Sequence, residues 1–292
     1  MRLGYACLNI TLDRKMRGLQ LKTLRERGIT YLQTLVDENL VLTADILRWS
    51  KERGVDMFRL SSDIVPFGSH EEVDLALLDF ALAREIPPLA AGMRLSIHPG
   101  QFTVISSAGS VWDSSYKELM YHNSLLDILG VDGDMIVHGG GVYGDREGTA
   151  RRIAENILLL PGEIRRRLRL ENDERSWSVR DLLPICEETG APLIVDNLHH
   201  ALNGVEPLAD LPWERIAATW GGRLPKLHYS EQDPEKRPGA HSAYVTASLF
   251  RRFQGDVGMA DFDVMLECKA KELALLRLRE ELARLEEQAC AS

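Results

Sequence analysis

Six residues with metal-ligating side chains end, or directly follow, six strand-like runs of this 292-residue sequence. Intervals of 25 to 40 residues separate successive members, which is typical of one strand plus one helix. These six residues are His98, His138, Glu171, Asp196, His228 and Glu267. Three more histidines lie in segments that follow strand-like runs. His70 follows the second run, His199 lies three residues after Asp196, and His241 follows the seventh run.

Nine imidazole and carboxylate groups at one place predict a metal centre. Without cations, the buried carboxylates would be uncompensated, and that is costly. Nine ligands exceed the needs of one tetrahedral zinc ion, so we expect two or three divalent ions. Mixed nitrogen and oxygen ligands suit Mn²⁺, Zn²⁺ or Fe²⁺. Clustered ions favour phosphodiester hydrolysis, because they stabilise attacking and leaving oxygens, with sugar isomerisation as the second hypothesis.

Strand-like and helix-like runs alternate along the chain and predict the elements that position these groups. The strand-like runs are 2–7, 57–60, 94–97, 135–138, 168–171, 192–196, 226–228 and 263–267. The helical patterns are 31–53, 73–91, 113–129, 146–160, 179–189 and 243–253. This pattern predicts an α/β fold, a single (β/α)8 TIM barrel over residues 1–292, with its active site at the carboxyl ends of the strands. Leucines at helical spacing predict a C-terminal helical extension over residues 269–289.

Composition narrows the class of protein. A 45% hydrophobic and 27% charged sequence is ordinary for a globular protein. No apolar run approaches the roughly 20 residues of a membrane span, and no secretory signal is visible. Four widely spaced cysteines predict a reducing, cytoplasmic location rather than a disulfide framework. The net charge of −9 argues against general nucleic-acid binding, although bound divalent ions would offset part of it. We expect a monomer with no membrane association and no organic cofactor.

Several basic residues could add to the site. Lys226 lies two residues before His228, so both side chains should face the barrel interior. The amine of Lys226 could be neutral because of a lowered pKa, carbamylated, or charged and directed at a substrate phosphate. An equal alternative is that the side chain extends into solvent through the mouth of the barrel, which is its open end at the carboxyl ends of the strands. Residues 11–30 hold six basic and two acidic side chains and could meet phosphates, as could Lys236 and Arg237. Residues 165–167, three arginines, should lie at the opposite end of the barrel.

Nine stretches match, in order, those of one enzyme family. Three of them are Ser96-Ile97-His98-Pro99-Gly100-Gln101-Phe102, Leu170-Glu171-Asn172-Asp173-Glu174-Arg175 and Val195-Asp196-Asn197-Leu198-His199-His200. The others are 3–7 with Asn9, 58–60 through 66–70, 137–140, 226–230, 238–241 and 265–272. On these motifs the chain resembles the UV damage endonucleases, whose barrel is similar to that of the endonuclease IV group of abasic-site nucleases.

The resemblance implies a metal-dependent cut on the 5′ side of a UV photoproduct in double-stranded DNA, leaving a 3′-hydroxyl and a 5′-phosphate. It implies manganese, with up to three ions, on the nine ligands named above, and a lesion-probing pair at Gln101 and Phe102. Tyr5 and Asn9 would face the DNA groove. We predict that the catalytic residues are Glu171, His98 and Lys226. An abasic-site nuclease, a sugar isomerase or epimerase, and a non-enzymatic damage sensor remain alternatives.

Overall fold

The computed structural model describes residues 1–100 and 102–291 and contains the predicted barrel. Its eight parallel strands are β1 (Leu3–Ala6), β2 (Met57–Leu60), β3 (Arg94–Ile97), β4 (Asp134–His138), β5 (Leu168–Glu171), β6 (Leu193–Ile194), β7 (Lys226–Tyr229) and β8 (Asp263–Leu266). The α-helices are α1 (Leu21–Glu52), α2 (Ile86–Ala90), α3 (Gly109–Ile128), α4 (Arg146–Leu159), α5 (Gly162–Arg167), α6 (Val179–Thr189), α7 (Asn197–Asn203), α8 (Trp213–Thr219), α9 (Ala247–Asp256) and α10 (Lys271–Ala291).

The strands are paired in the order β6-β5-β4-β3-β2-β1-β8-β7. Between β6 and β7 the barrel is closed by a short parallel bridge, in which Asp196 pairs with His228. The main-chain N–H of His228 donates to the carbonyl of Val195 at 3.0 Å. Two predicted metal ligands therefore lie at the seam that closes the barrel.

The predicted helix over residues 73–91 is wrong. The segment forms two short 3₁₀ turns, Leu75–Leu77 and Ala81–Glu85, and then the five-residue helix α2. The side chain of Asp74 accepts a hydrogen bond from the N–H of Ala76, and Asp79 accepts one from Ala81. These local hydrogen bonds compete with a continuous helix, as short acidic side chains do in turns.

The basic segment at residues 11–30 is only partly a loop, because α1 begins at Leu21 and bends at Gly28 (φ 69°). Four of its six cations form ion pairs with carboxylates. Arg17 lies 3.5 Å from Glu38, and Arg25 lies 2.6 Å from Glu72. The predicted excess of positive charge is therefore largely neutralised within the protein.

The amino ends of the strands carry a buried ionic network. Asp134 accepts a hydrogen bond from the Nζ of Lys226 at 3.0 Å, and its carboxylate lies 2.6 Å from Arg169 and 3.5 Å from Arg94. The second carboxylate, Asp263, lies 2.9 Å from Arg94. This network fills the end of the barrel opposite the predicted site.

We expect Asp134→Asn to lower the free energy of unfolding by about 3 kcal/mol at pH 7, because it leaves buried cations without a counter-charge. Burial opposes ionisation of Asp134, but Lys226, Arg169 and Arg94 outweigh it and hold the carboxyl pKa below its usual value. The stabilisation is therefore present above the unfolded pKa and lost as the pH falls through the lower folded pKa. Urea denaturation should show the deficit shrinking below about pH 4.

The exposed Asp261→Asn change is the control, and it should cost little at any pH. A deficit for Asp134→Asn that stayed constant from pH 7 to pH 2 would contradict this account.

Within the described part of the chain, none of the helices has both the length and the apolarity needed to cross a bilayer.

Candidate metal centre

Two groups of side chains at the carboxyl ends of the strands are close enough to hold a metal ion, and they share Glu171. The first group is His98, His138 and Glu171, and the second is Glu171, Asp196, His228 and Glu267. Within each group the candidate ligand atoms lie within 4.8 Å of one another. All six residues were predicted from their positions at strand ends, and they meet because parallel strands in a barrel end on one rim.

Glu171 lies at the centre of this arrangement and is 1% exposed. Its Oε1 lies 2.7 Å from His228 Nδ1, and its Oε2 lies 3.4 Å from His98 Nε2 and 3.9 Å from His138 Nε2. One carboxylate thus faces three imidazoles that come from three other strands or their ends.

Two of the three loop histidines join the same cluster. His199 Nδ1 lies 3.7 Å from Asp196, and the His199 ring lies 5.5 Å from that of His138 and 6.3 Å from that of His241. His241 Nδ1 lies 3.7 Å from Glu267 Oε2.

His70 belongs to neither group. Its ring packs against Phe67 with 5.8 Å between centroids, and its Nδ1 accepts a hydrogen bond from the N–H of Glu72. The structure therefore brings eight of the nine predicted ligands into contact and leaves His70 beside the mouth.

Three histidines have a tautomer set by the main chain. His98 Nδ1 lies 2.9 Å from the carbonyl of Pro99, His199 Nδ1 lies 3.0 Å from the carbonyl of Asn172, and His241 Nδ1 lies 2.6 Å from that of Glu267. A carbonyl only accepts, so in the neutral form of each ring Nδ1 carries the hydrogen and Nε2 is left with a lone pair. Such hydrogen bonds orient metal-ligating histidines.

Four buried polar atoms of the cluster have no hydrogen-bond partner among the described residues. They are His138 Nδ1, Glu171 Oε2, Asp196 Oδ2 and His228 Nε2. Buried polar atoms are normally satisfied, so this concentration of unpartnered atoms needs a reason. Coordination of cations would supply it, and the donor set of imidazole nitrogens and carboxylate oxygens fits a divalent transition metal.

The electrostatics of the cluster are dominated by three carboxylates, of which Glu171 and Asp196 are buried and Glu267 is 13% exposed. Burial lowers the pKa of an imidazole, but Glu171 and Glu267 outweigh it at His228 and raise the pKa to about 9. In the same way Asp196 and Glu171 raise the pKa of His199 to about 8. Burial, together with the charges of Glu171 and Glu267, raises the pKa of Asp196. The site therefore attracts positive charge.

Two residues of the family motifs, Arg59 and Asn172, hold candidate ligands in place, and the sequence alone assigned neither of them a role. Arg59 Nη1 donates to Glu267 Oε1 at 2.5 Å. The side chain of Asn172 forms two hydrogen bonds with the main chain of Asp196: its Oδ1 accepts from the N–H, and its Nδ2 donates to the carbonyl. An arginine in the middle of a strand was the available signal for the first, because an arginine facing a barrel interior requires a carboxylate partner.

Lys226 faces the barrel interior, as its alternation with His228 predicts, but its ammonium does not join the cluster. It is fully buried and donates to Asp134 at the amino ends of the strands. Burial lowers the pKa of Lys226 to about 8, against the opposing charge of Asp134. The counter-ion of Lys226 is therefore Asp134, which lies toward the amino ends of the strands and away from the predicted catalytic site.

The predicted placement of Tyr5 and Asn9 in the DNA groove does not match the structure. Tyr5 is fully buried against α1, and its hydroxyl forms hydrogen bonds with Ser50 at 2.8 Å and Asn9 at 3.0 Å. Asn9 is only 1% exposed. Side chains alternate in direction along β1, and this alternation points Tyr5 outward into the helix layer. There the ring of Tyr5 packs against the ring of Trp49.

Phe102 is 83% exposed, beside the loops that follow β2 and β3. Large aromatic side chains are rarely left so open, so this one is available to a partner. Gln101, the other predicted probe, lies outside the described residues.

A basic pocket of about 550 Å³ adjoins the cluster at Glu267 and His241. Its cations are Arg59, Lys236, Arg237, Lys269 and Lys271. The adjacent ammonium of Lys236 lowers the pKa of Lys269, so two like charges lie side by side here. A pocket of this charge suits an anionic group next to the candidate metal centre.

The sequence and the fold were compared with those of known proteins. The sequence profile described as UV-endonuclease UvdE matches residues 1–292. A UV DNA damage endonuclease of Clostridium perfringens is 32% identical, over 95% of this chain and 69% of its own. The crystal structure of SacUVDE superposes with a TM-score of 0.86 and 34% identity, covering 99% of both chains. Endonuclease IV of Thermus thermophilus, at 17% identity and a TM-score of 0.60 over 98% and 100% of the two chains, shares the fold. This chain therefore belongs to the UV-endonuclease family and is a DNA repair endonuclease, an enzyme that cuts within DNA.

Proposed function

We propose that the protein hydrolyses the phosphodiester on the 5′ side of UV photoproducts in double-stranded DNA and leaves a 3′-hydroxyl and a 5′-phosphate. The observation that carries the proposal is the cluster around Glu171, with four unpartnered buried atoms, in a chain of the UV-endonuclease family. Every side chain of the cluster comes from one chain, so a monomer suffices.

Manganese is the proposed metal, with two or three ions and with Zn²⁺ or another divalent cation as alternatives. The residues that would hold it are His98, His138, Glu171, Asp196, His199, His228, His241 and Glu267. A divalent cation bound there supplies Lewis-acid stabilisation for the negative charge that develops on the phosphodiester oxygens. His70 would join only if its loop moved toward the mouth.

The protein's own residues prepare the site for this chemistry. Arg59 holds Glu267 by a charge-assisted hydrogen bond, and Asn172 fixes the main chain at Asp196. Burial lowers the pKa of His98, so its imidazole is neutral and presents a lone pair toward Glu171. Preorganised groups of this kind avoid reorganisation during the reaction, which is the largest source of many enzymes' rate enhancement.

DNA would lie across the carboxyl ends of the strands. The basic pocket at Lys236 and Lys269 is suited to backbone phosphates, whose contacts position the duplex. Phe102 would insert at the lesion, where weakened stacking reduces the cost of opening the helix.

An incision assay tests the proposal. The purified protein is treated with chelator, given Mn²⁺, and incubated with three end-labelled duplexes that carry a thymine dimer, an abasic site or no damage. A manganese-dependent cut immediately 5′ of the dimer supports the proposal. A cut at the abasic site alone would reassign the substrate, and no cut in any duplex would overturn the proposed reaction.

Phe102→Ala should lower incision at the dimer by about 10- to 100-fold, since stacking on an aromatic side chain contributes about 1–3 kcal/mol per base. The melting temperature should not change, because the ring is exposed. Leu159→Ala, which removes another exposed apolar side chain, is the control. Equal incision by Phe102→Ala and the wild type would remove Phe102 from lesion recognition.

A further inference from the structure

A second basic pocket opens at the amino ends of the strands, opposite the metal centre. It has a volume of about 480 Å³ and lies between the segments that precede β1, β3, β4, β5 and β7. Its cationic lining consists of Arg2, Arg94, Arg166, Arg167, Arg169 and Arg223. Neither the metal cluster nor the proposed DNA surface uses any of these side chains.

The carboxylates at this pocket are too few to neutralise the arginines. Asp132 is shared by Arg166 at 2.9 Å and Arg167 at 3.0 Å. Asp134 is shared by Arg94, Arg169 and Lys226. With Lys226 counted, seven cations face only four carboxylates, which are Asp127, Asp132, Asp134 and Asp263. The network therefore keeps an excess of positive charge.

One of the arginines has an unused buried donor, and another has no carboxylate partner in the described part of the chain. Arg169 is 2% exposed, and its Nε is buried with no hydrogen-bond partner among the described residues. Arg223 forms no ion pair with residues 1–100 or 102–291, and its guanidinium stands over the ring of Trp220. Burial and the positive charges of Arg223 and Arg94 lower the pKa of Arg169 to about 10. An anion would relieve this repulsion and could accept from the unpartnered Nε of Arg169.

We propose that this arginine pocket binds a small phosphate-bearing anion of the size of inorganic phosphate or pyrophosphate. Guanidinium groups match phosphate oxygens with paired hydrogen bonds, which is why arginine predominates at such sites. A DNA duplex bound at the metal centre cannot supply this phosphate, because a strand length of about 10 Å or more separates the two ends of the barrel. The pocket is therefore a site for a free anion.

Isothermal titration of the full-length protein with pyrophosphate tests the proposal, with Arg223→Gln and Arg166→Gln as the informative variants. Both side chains are partly exposed, so both variants should fold, and their melting temperatures check this. We expect saturable binding to the wild type, and binding about tenfold weaker in each variant, because each loses a charge-assisted hydrogen bond. Inorganic phosphate, as a second probe, should bind the same site more weakly.

Two controls separate this pocket from the DNA-binding end. Arg284→Gln changes an exposed arginine on α10, and Lys269→Gln changes the basic pocket beside the metal centre. Lys269→Gln should weaken only pyrophosphate bound at that second pocket, and in both variants the affinity of the arginine pocket should stay at the wild-type value. Arg223→Gln should incise damaged DNA at the wild-type rate, so this result is independent of the proposed function. No saturable binding, equal affinity in the arginine variants, or displacement of pyrophosphate by a damaged duplex would overturn the proposal.

Discussion

We expect Glu171→Gln to lower the rate of DNA incision by about 10³-fold or more, because the change removes several kcal/mol of electrostatic stabilisation from the reacting groups. Glutamine keeps the size of the side chain but has no negative charge. The lost carboxylate faces His98, His138 and His228 at once, and it is the only residue shared by the two candidate metal groups of the described chain. Both groups should therefore lose affinity for their cations.

The measurement is single-turnover cleavage of a dimer-containing duplex, with bound metal determined on the same sample by atomic emission. Affinity for the damaged duplex, measured separately, should fall much less than the rate. The reason is that Glu171→Gln does not change the basic pocket or Phe102, which are the proposed DNA contacts.

Glu174→Gln is a matched control, because it makes the same chemical change three residues away, at a side chain that is 38% exposed and lies 4.0 Å from His199. It should keep incision within about tenfold of the wild type, as a partly solvated group contributes less. If Glu171→Gln kept more than a tenth of the wild-type rate, catalysis would have to be assigned to other residues.

Removal of divalent metal should reduce incision below detection, and Mn²⁺ should restore it. The physical reason is the concentration of charge: Glu171 and Asp196 are buried, Glu267 lies beside them, and divalent cations compensate this negative charge and supply the Lewis acid for hydrolysis. Reloaded protein should contain two or three manganese ions per chain. Binding to the folded state alone should also raise the melting temperature in proportion to the logarithm of the free metal concentration.

Asp261→Asn, which changes an exposed carboxylate far from the cluster, should bind the same number of ions as the wild type, whereas Asp196→Asn should bind fewer. Full activity in chelator, in protein shown to hold less than about a tenth of an ion per chain, would contradict metal-dependent hydrolysis at this site.

The placement of imidazole and carboxylate side chains at strand ends was the most informative feature of the sequence. His138 and Glu171 end β4 and β5, and Glu267 directly follows β8. Their convergence could be predicted without knowing a single contact, because the topology of a parallel barrel brings all carboxyl ends to one rim. The same argument could not place His70, which lies several residues beyond β2 in a loop whose course depends on its own packing.

Two errors have a different physical origin. The helical pattern over residues 73–91 has enough apolar residues for a helix, but the side chains of Asp74 and Asp79 hydrogen-bond to nearby N–H groups and favour short turns. The family resemblance predicts Tyr5 at the DNA groove, whereas its direction along β1 places it under α1. Both outcomes depend on which neighbours a side chain meets.

The sequence by itself determined the class of fold, the end of the barrel at which the candidate ligands converge and the chemical type of their side chains, because these follow from periodicity and topology. Only the tertiary structure decided which atoms face one another. Lys226 shows the difference: alternation along β7 predicts that it points inward, but the stagger between strands sets its ammonium against Asp134 rather than among the candidate metal ligands. Contacts across a barrel arise between residues far apart in the chain, so no local pattern specifies them.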